Sequence, residues 1–259
     1  MTITLPRFAR SWMAPVVAIV LLLALIAPVV AINVQPVIID LHSAGRRASA
    51  VISLQNTFPD AVPIELTAHP IRIVNGELQE FEEEEAEDLL IFPAQATVAS
   101  GSTQAFRVQW VGEPDLKESK HFYVTAAQLP VALSEDQNAV QVLHRFKILV
   151  SVGAAAATSS LEVTEARIGV DANGKPRPVL TVRNDGTTYG YVSQRRMTIV
   201  QRDASGAEIF RQTFEPDEIG QRMGMGLVPS GQSRNLAVNV ELPKAEGALS
   251  IELALAGSN

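Results

Sequence analysis

Two β-sandwich modules in tandem are what this sequence predicts, and three observations carry that prediction. Short runs of alternating apolar residues recur between turn signals from Val34 onward, as half-buried strands do. No stretch keeps a 3.6-residue apolar period over 12 residues, so long amphipathic helices are not expected. The second half also repeats the first in outline: residues 179–184 match residues 51–56, and residues 229–240 match residues 99–110. The intervals from Asn to Gly are close as well, 45 residues from Asn56 to Gly101 and 47 from Asn184 to Gly231. Two copies of one module account for this most simply.

Residues 1–31 read as an export leader. Arg7 and Arg10 precede the apolar run from Trp12 to Val30, and Val29, Val30 and Ala31 offer modest or small residues for a signal peptidase. The mature chain then starts near Ile32, although an uncleaved membrane anchor is the alternative, with Pro15 and Pro28 shortening its uninterrupted helix. Two of the 21 basic residues lie in the leader, so the remaining chain carries 19 against 28 acidic ones. That balance argues against nucleic acid or an anionic membrane surface as a partner. The absence of cysteine excludes disulfides and thiolate metal sites, leaving core burial to hold the fold.

In the first module the strand-like runs cover residues 37–41, 48–54 and 62–73, the last ending in an Asn75-Gly76 hairpin turn. Residues 81–88 hold six acids in eight positions and read as a solvated loop. Strands resume at residues 89–92 and 103–111, where Phe106, Val108 and Trp110 share one side. Residues 114–120 form a charged connector, and residues 122–129 another strand, stopped by Pro130. The polar stretch 131–138 precedes one long strand over residues 139–152, rich in Val, Leu, Ile and Phe and free of Gly and Pro. Arg145 and Lys147 lie two apart in its middle and share a face. A small-residue linker follows at 153–160, and the second module runs from residue 161.

This order of elements resembles the periplasmic chaperones of pilus (fimbria) assembly by the chaperone–usher pathway. The resemblance covers the mature chain. It is carried by Val34-Gln35-Pro36, residues 50–56, Phe92-Pro93 followed by Gly101 and Phe106-Arg107-Val108, Ser119 to Tyr123 with Gln128-Leu129-Pro130, and the Lys147 strand. The Leu-Pro-Val ending and the Ser-Lys-x-x-Tyr element look like the atypical, archaic branch.

The resemblance implies an all-β fold of two immunoglobulin-like β-sandwich domains, residues 32–152 and 161–259, joined by a short linker with a cleft between them. It implies a protein of the periplasm that caps pilin-like subunits by lending a β-strand and passes them to an outer-membrane usher. Val140 and Val142 match donor positions, whereas His144 and Phe146 depend on whether a bulge changes their face. Lys147 matches the lysine of a basic pair that binds the subunit's C-terminal carboxylate. The arginine of that pair is absent, since Val37 or Ile38 stands in its place. Either Arg145, or Arg46 and Arg47, substitutes, or the subunit is anchored differently. Free of a subunit, such a chain either caps its sticky strand as a homodimer or leaves it partly disordered.

Other chemistry finds little footing. His42, His69, His121 and His144 show no metal-ligand spacing, no phosphate-binding loop or nucleophile motif occurs, and no cofactor or enzymatic activity is expected. Met223 and Met225 around Gly224 read as a mobile loop rather than a copper site. The competing function is a structural or adhesive protein of tandem immunoglobulin-like modules. A carbohydrate-binding sandwich would want exposed aromatics, and outside the leader the only tryptophan is Trp110.

Overall fold

The computed structural model describes residues 31–130, 142–154 and 156–255. The N-terminal strands are β1 (Ile32–Gln35), β2 (Ile38–His42), β3 (Ser49–Asn56), β4 (Val62–Val74), β5 (Glu77–Glu80), β6 (Leu89–Phe92), β7 (Gln95–Val98), β8 (Thr103–Trp110), β9 (Lys120–Gln128) and β10 (Arg145–Gly153). One sheet has the order β1-β3-β8-β6, and the other β2-β10-β9-β4-β5 with β7 also on β4. The first run of the chain switches sheets at Pro36, β1 pairing β3 while β2 lies parallel to β10. Between the sheets sits a core that includes Leu54, Phe106, Val108, Trp110, Val124, Ile148 and Val150. Phe106, Val108 and Trp110 point inward together, as strand alternation requires.

The C-terminal strands are β11 (Leu161–Val170), β12 (Pro176–Asn184), β13 (Gly190–Tyr191), β14 (Arg195–Arg202), β15 (Glu208–Phe214), β16 (Leu227–Val228), β17 (Ser233–Ala237) and β18 (Ala248–Leu255). They form sheets β11-β12-β17 and β15-β14-β18 and a short β13-β16 pair around a second core with Leu180, Ile199 and Phe214. The helix α1 (Pro216–Met223) lies between β15 and β16. Its signal is in the sequence: Pro216 opens it, and Glu215 and Glu218 form a capping box. A search for long apolar periods passes over an 8-residue helix.

The internal repeat has a physical anchor. Asn56 and Asn184 end equivalent strands and are both fully buried. The Asn56 amide donates to the carbonyls of Asp60 at 2.8 Å and Val98 at 3.0 Å, and its oxygen accepts the Phe58 N–H at 2.9 Å. Asn184 repeats this, donating to Thr188 at 2.8 Å and Val228 at 3.0 Å and accepting from Gly186 at 3.0 Å. Each asparagine ties the loop that follows it to the end of a short strand, β7 or β16, by bonding backbone groups of both.

One expectation needs correction and another is extended. The long strand predicted over residues 139–152 begins, in the described residues, at Arg145; residues 142–144 are irregular and residues 139–141 lie outside the description. Its neighbours explain the start, because β9 ends at Gln128, opposite His144, and β2 reaches only to Leu149. The Asn75-Gly76 turn joins β4 to β5 with both residues left-handed, at φ 53° and 81°, and it does more than close a hairpin. It leans on the other domain: the Asn235 N–H donates to the Gly76 carbonyl at 2.7 Å, and a Cβ on residue 76 would collide with the Asn235 side chain.

Replacing Asn56 or Asn184 by leucine keeps the volume but strands these backbone groups. Each substitution should cost about 2–4 kcal/mol, lowering the urea midpoint of its own domain and sparing the other when the two transitions are followed separately.

Candidate functional site

The candidate site is the outer edge of β10. Along its length β10 pairs antiparallel with β9, from Arg145 opposite Ala127 to Val152 opposite Lys120. On its other side β2 pairs only from Leu149 onward. The Gln128 N–H donates to the His144 carbonyl at 2.9 Å, which sets the parity of the ladder. In an antiparallel pair alternate residues aim their N–H and C=O at one neighbour, so Phe146 and Ile148 bond β9 while Arg145 and Lys147 face the open side. At Leu149 that side is taken up, its N–H donating to the Val37 carbonyl at 3.0 Å. A strand arriving at this edge therefore ends beside Lys147.

The two faces of β10 differ sharply. Phe146, Ile148, Val150 and Val152 turn toward the N-terminal core, and His144 continues that row, its ring 5.7 Å from Phe58 and 6.3 Å from Phe146 between centroids. Val142, just before the strand, is 69% exposed, and Leu143 beside it is exposed too. Val140, the other expected donor, lies outside the described residues. On the opposite face stand Arg145 and Lys147, both exposed, followed by Leu149 and Ser151 in the cleft between domains.

Lys147 is already engaged. Its ammonium reaches back over the Tyr123 ring, 5.6 Å from the centroid, to an ion pair with Glu80, and Glu82 lies 3.6 Å away. The hydrogen bond to Glu80 raises its pKa, burial opposing and the charges of Glu80 and Glu82 adding to the rise. The acidic run is thus more than a solvated loop: Glu82 serves Lys147, Glu84 forms a two-point pair with Arg72, and Asp88 pairs Lys120. Val37, where a second cation was sought, is exposed. Arg46 and Arg47 follow β2, which runs parallel to β10 away from Lys147, and Arg47 lines a cavity of about 230 Å³ with Asp40 and Tyr189. They sit at the far end of β2 from the open edge.

A chain of neutral hydrogen bonds joins the domains beneath this edge. His121, 4% exposed, has Nδ1 2.9 Å from Ser151 Oγ and Nε2 3.0 Å from Ser119 Oγ. Ser119 meets Ser230 of the C-terminal domain through a hydroxyl pair at 3.1 Å and the Ser119 N–H at 3.1 Å. On the other side the Tyr191 phenol lies 3.1 Å from Ser151 Oγ and 2.8 Å from Asp40 Oδ1, which also accepts from Tyr189 at 2.7 Å. Burial, with the nearby Asp40 charge, raises both phenol pKa values, and burial alone lowers that of His121 to about 3. Beside the chain, Ile71, Leu149, Tyr191 and Leu227 form a small core shared by the two domains. The sequence signal for this network was weak, since one Ser-x-His spacing and two tyrosines two apart are common in any strand. Met225 belongs to the same apolar contact, with its sulfur 3.4 Å from Ser193 Oγ, and Met223 packs on the C-terminal core. Among the described residues no three His, Asp or Glu side chains converge as metal ligands.

No family model matches the sequence, and no curated protein matches it. Solved structures do. The chain is similar to the chaperone of a chaperone–tip adhesin complex of CFA/I fimbriae biogenesis, at 13% identity and TM-score 0.50 over 88% of this chain and all of that one. It is similar to the class 5 fimbriae chaperone CfaA, at 14% identity and TM-score 0.50 over 87% of this chain and 99% of that one. The third is from the CsuC–CsuE chaperone–tip adhesion subunit pre-assembly complex of the archaic chaperone–usher Csu pili of Acinetobacter baumannii, at 10% identity and TM-score 0.51 over 88% of this chain and all of that one. The likeness is one of fold: this chain has the two-domain, immunoglobulin-like β-sandwich fold of these chaperones.

The buried imidazole makes stability depend on pH. His121 takes a proton near pH 6.5 when unfolded but only near 3 when folded, so the unfolded chain binds more protons between those values. Its contribution is full above pH 6.5 and falls as pH drops toward 3, by up to ~1.4 kcal/mol per pH unit. Urea unfolding at pH 7 and pH 4.5 should show this loss, and His121→Gln should flatten it while lowering stability at pH 7.

Proposed function

We propose that the chain is a periplasmic chaperone that caps pilin-like subunits by lending them a strand and delivers them to an outer-membrane usher. The observation that carries this reading is the open edge of β10 beside Arg145 and Lys147, closed by β2 only from Leu149. An unpaired edge next to exposed Val142 and Leu143 is a feature that an inert module would avoid. The fold shared with fimbrial chaperones supports the same reading.

Residues 138–146 lend the strand, Val140 and Val142 entering the groove of a subunit that lacks its last strand. Because His144, Phe146 and Ile148 share a face, His144 and Phe146 carry the chain's own core up to the point where the subunit's core begins. Arg145 and Lys147, on the opposite face, are the cations that take the subunit's C-terminal carboxylate and so fix where its strand stops. Residues 1–31 direct export, and a chain free of subunit covers its edge with a second copy or leaves it unpaired. A tandem structural module remains the competing reading.

Co-expression of the mature chain with candidate pilin-like subunits, followed by affinity capture, tests the proposal. Each valine buried in the groove is worth roughly 1.5–3 kcal/mol, and an aspartate there adds the penalty of a buried charge. Val140→Asp/Val142→Asp should therefore weaken capture by about 100-fold or more while leaving the protein folded. Undiminished capture by the double variant would remove strand lending from this segment. A subunit that is soluble alone and captured by neither form would favour the structural module.

A further inference from the structure

Lys147 is drawn away from the edge that it is proposed to serve. In the sheet order β2-β10-β9-β4-β5 the open edge lies on one side of β10, and Glu80 belongs to β5, beyond β9 on the other. The lysine stem crosses the face of β9 over Tyr123, and its ammonium sits between two carboxylates supplied by the chain itself. Glu80 ends β5 and is only 10% exposed, whereas Glu82 stands in the turn that follows and is 67% exposed. Two carboxylates on one ammonium satisfy it much as a peptide terminus would. Arg145, one step back along the same face, has no hydrogen bond or ion pair to any described residue.

We propose that Glu80 and Glu82 are resident carboxylates that hold Lys147 retracted in the unloaded chain, and that the terminal carboxylate of an incoming subunit strand displaces them. The inference rests on the strand-lending reading and deepens it by naming what the anchor selects. Arg145 meets the incoming carboxylate first, because its side chain has no partner among the described residues. Lys147 then swings from Glu80 to the edge, where the backbone of the arriving strand stops against Val37 and Leu149. The exchange is feasible because Lys147 is half-exposed and pairs with water access are weak and easily replaced. A strand whose end carries no charge has nothing to offer Lys147 in place of the glutamates. The device therefore discriminates for a true chain terminus ending at this register, against any stray edge strand long enough to pair with β10.

The hairpin that carries Glu80 ties this switch to the other domain. Its turn accepts the Asn235 N–H at Gly76, and Leu78 packs into the apolar contact between domains with Leu149 and Leu227. Glu80 is thus held in place from outside the N-terminal sandwich, so releasing Lys147 does not require the hairpin to move.

The test uses the full mature chain and a fluorescent peptide copying the last strand of the captured subunit, made with a free carboxylate and with a C-terminal amide. Wild type, Glu80→Gln/Glu82→Gln and Lys147→Met are compared by anisotropy, with thermal unfolding to confirm that each is folded. The double glutamine variant should bind the free acid about three- to tenfold more tightly than wild type and bind the amide unchanged. Lys147→Met should bind the two peptides alike. Equal or weaker binding of the free acid by the folded double variant would make the glutamates a fixed support for Lys147 and overturn the inference, leaving strand lending intact. An equal gain for the amide would also overturn it, since the carboxylate would then play no part. Failure of every form to bind either peptide, together with failure of capture, would take the strand-lending reading down as well.

Discussion

The unequal company of β10 is the constraint on which the rest of this structure depends. A strand inside a sheet needs two neighbours, and β10 has β9 along its whole length but β2 for only its second half. The half with two neighbours is fully buried and supplies Val150 and Val152 to the core. The half with one neighbour leaves backbone donors and acceptors open at Arg145 and Lys147. Natural sheets blunt such edges with charge, and here two cations do so while Phe146 and His144 continue the row on the other face. One strand thereby both fills the core and presents an open edge, and the boundary between the two is set by where β2 begins.

The same strand fixes the angle of the cleft. Leu149 and Ser151 lie on the face opposite the core, one in the apolar contact between domains and the other in the hydrogen-bonded chain from Ser230 to Asp40. That chain is neutral apart from the Asp40 carboxylate at its end, so its strength does not rest on exposed ion pairs that salt would screen. Its weak point is His121, whose burial disfavours the charged ring. The Asn75-Gly76 hairpin makes a second contact across the cleft through Gly76 and Asn235. With two separated contacts, rotation of one domain about the other would have to break both, and the strand edge and the hairpin that carries Glu80 keep a defined relation.

Much of this is legible in the sequence. Apolar alternation located most of the strands, because burial on one face of a sheet forces a period of two whatever the neighbours are. The Asn56 and Asn184 correspondence identified the repeat, and it holds because each side chain meets the same backbone groups in its own sandwich. The hairpin turn at Asn75-Gly76 followed from local sterics alone. The candidate site was legible only in part, through the placing of Lys147 and Arg145 on one face of a strand that leads out of the first domain.

Tertiary structure decided what those residues meet. Sequence cannot state that β10 loses a neighbour before Leu149, because pairing is settled by segments more than a hundred residues away in the chain. For the same reason the acids of residues 81–88 read as solvated until the fold brought Lys147, Arg72 and Lys120 to Glu82, Glu84 and Asp88. His121 looked like one of four scattered histidines, and only packing between domains made it the buried link of a polar chain. Local periodicity therefore determined the strands, the repeat and the side on which each residue lies; the availability of an edge and the partners of each charge are long-range properties, and the assembled sheets alone assigned them.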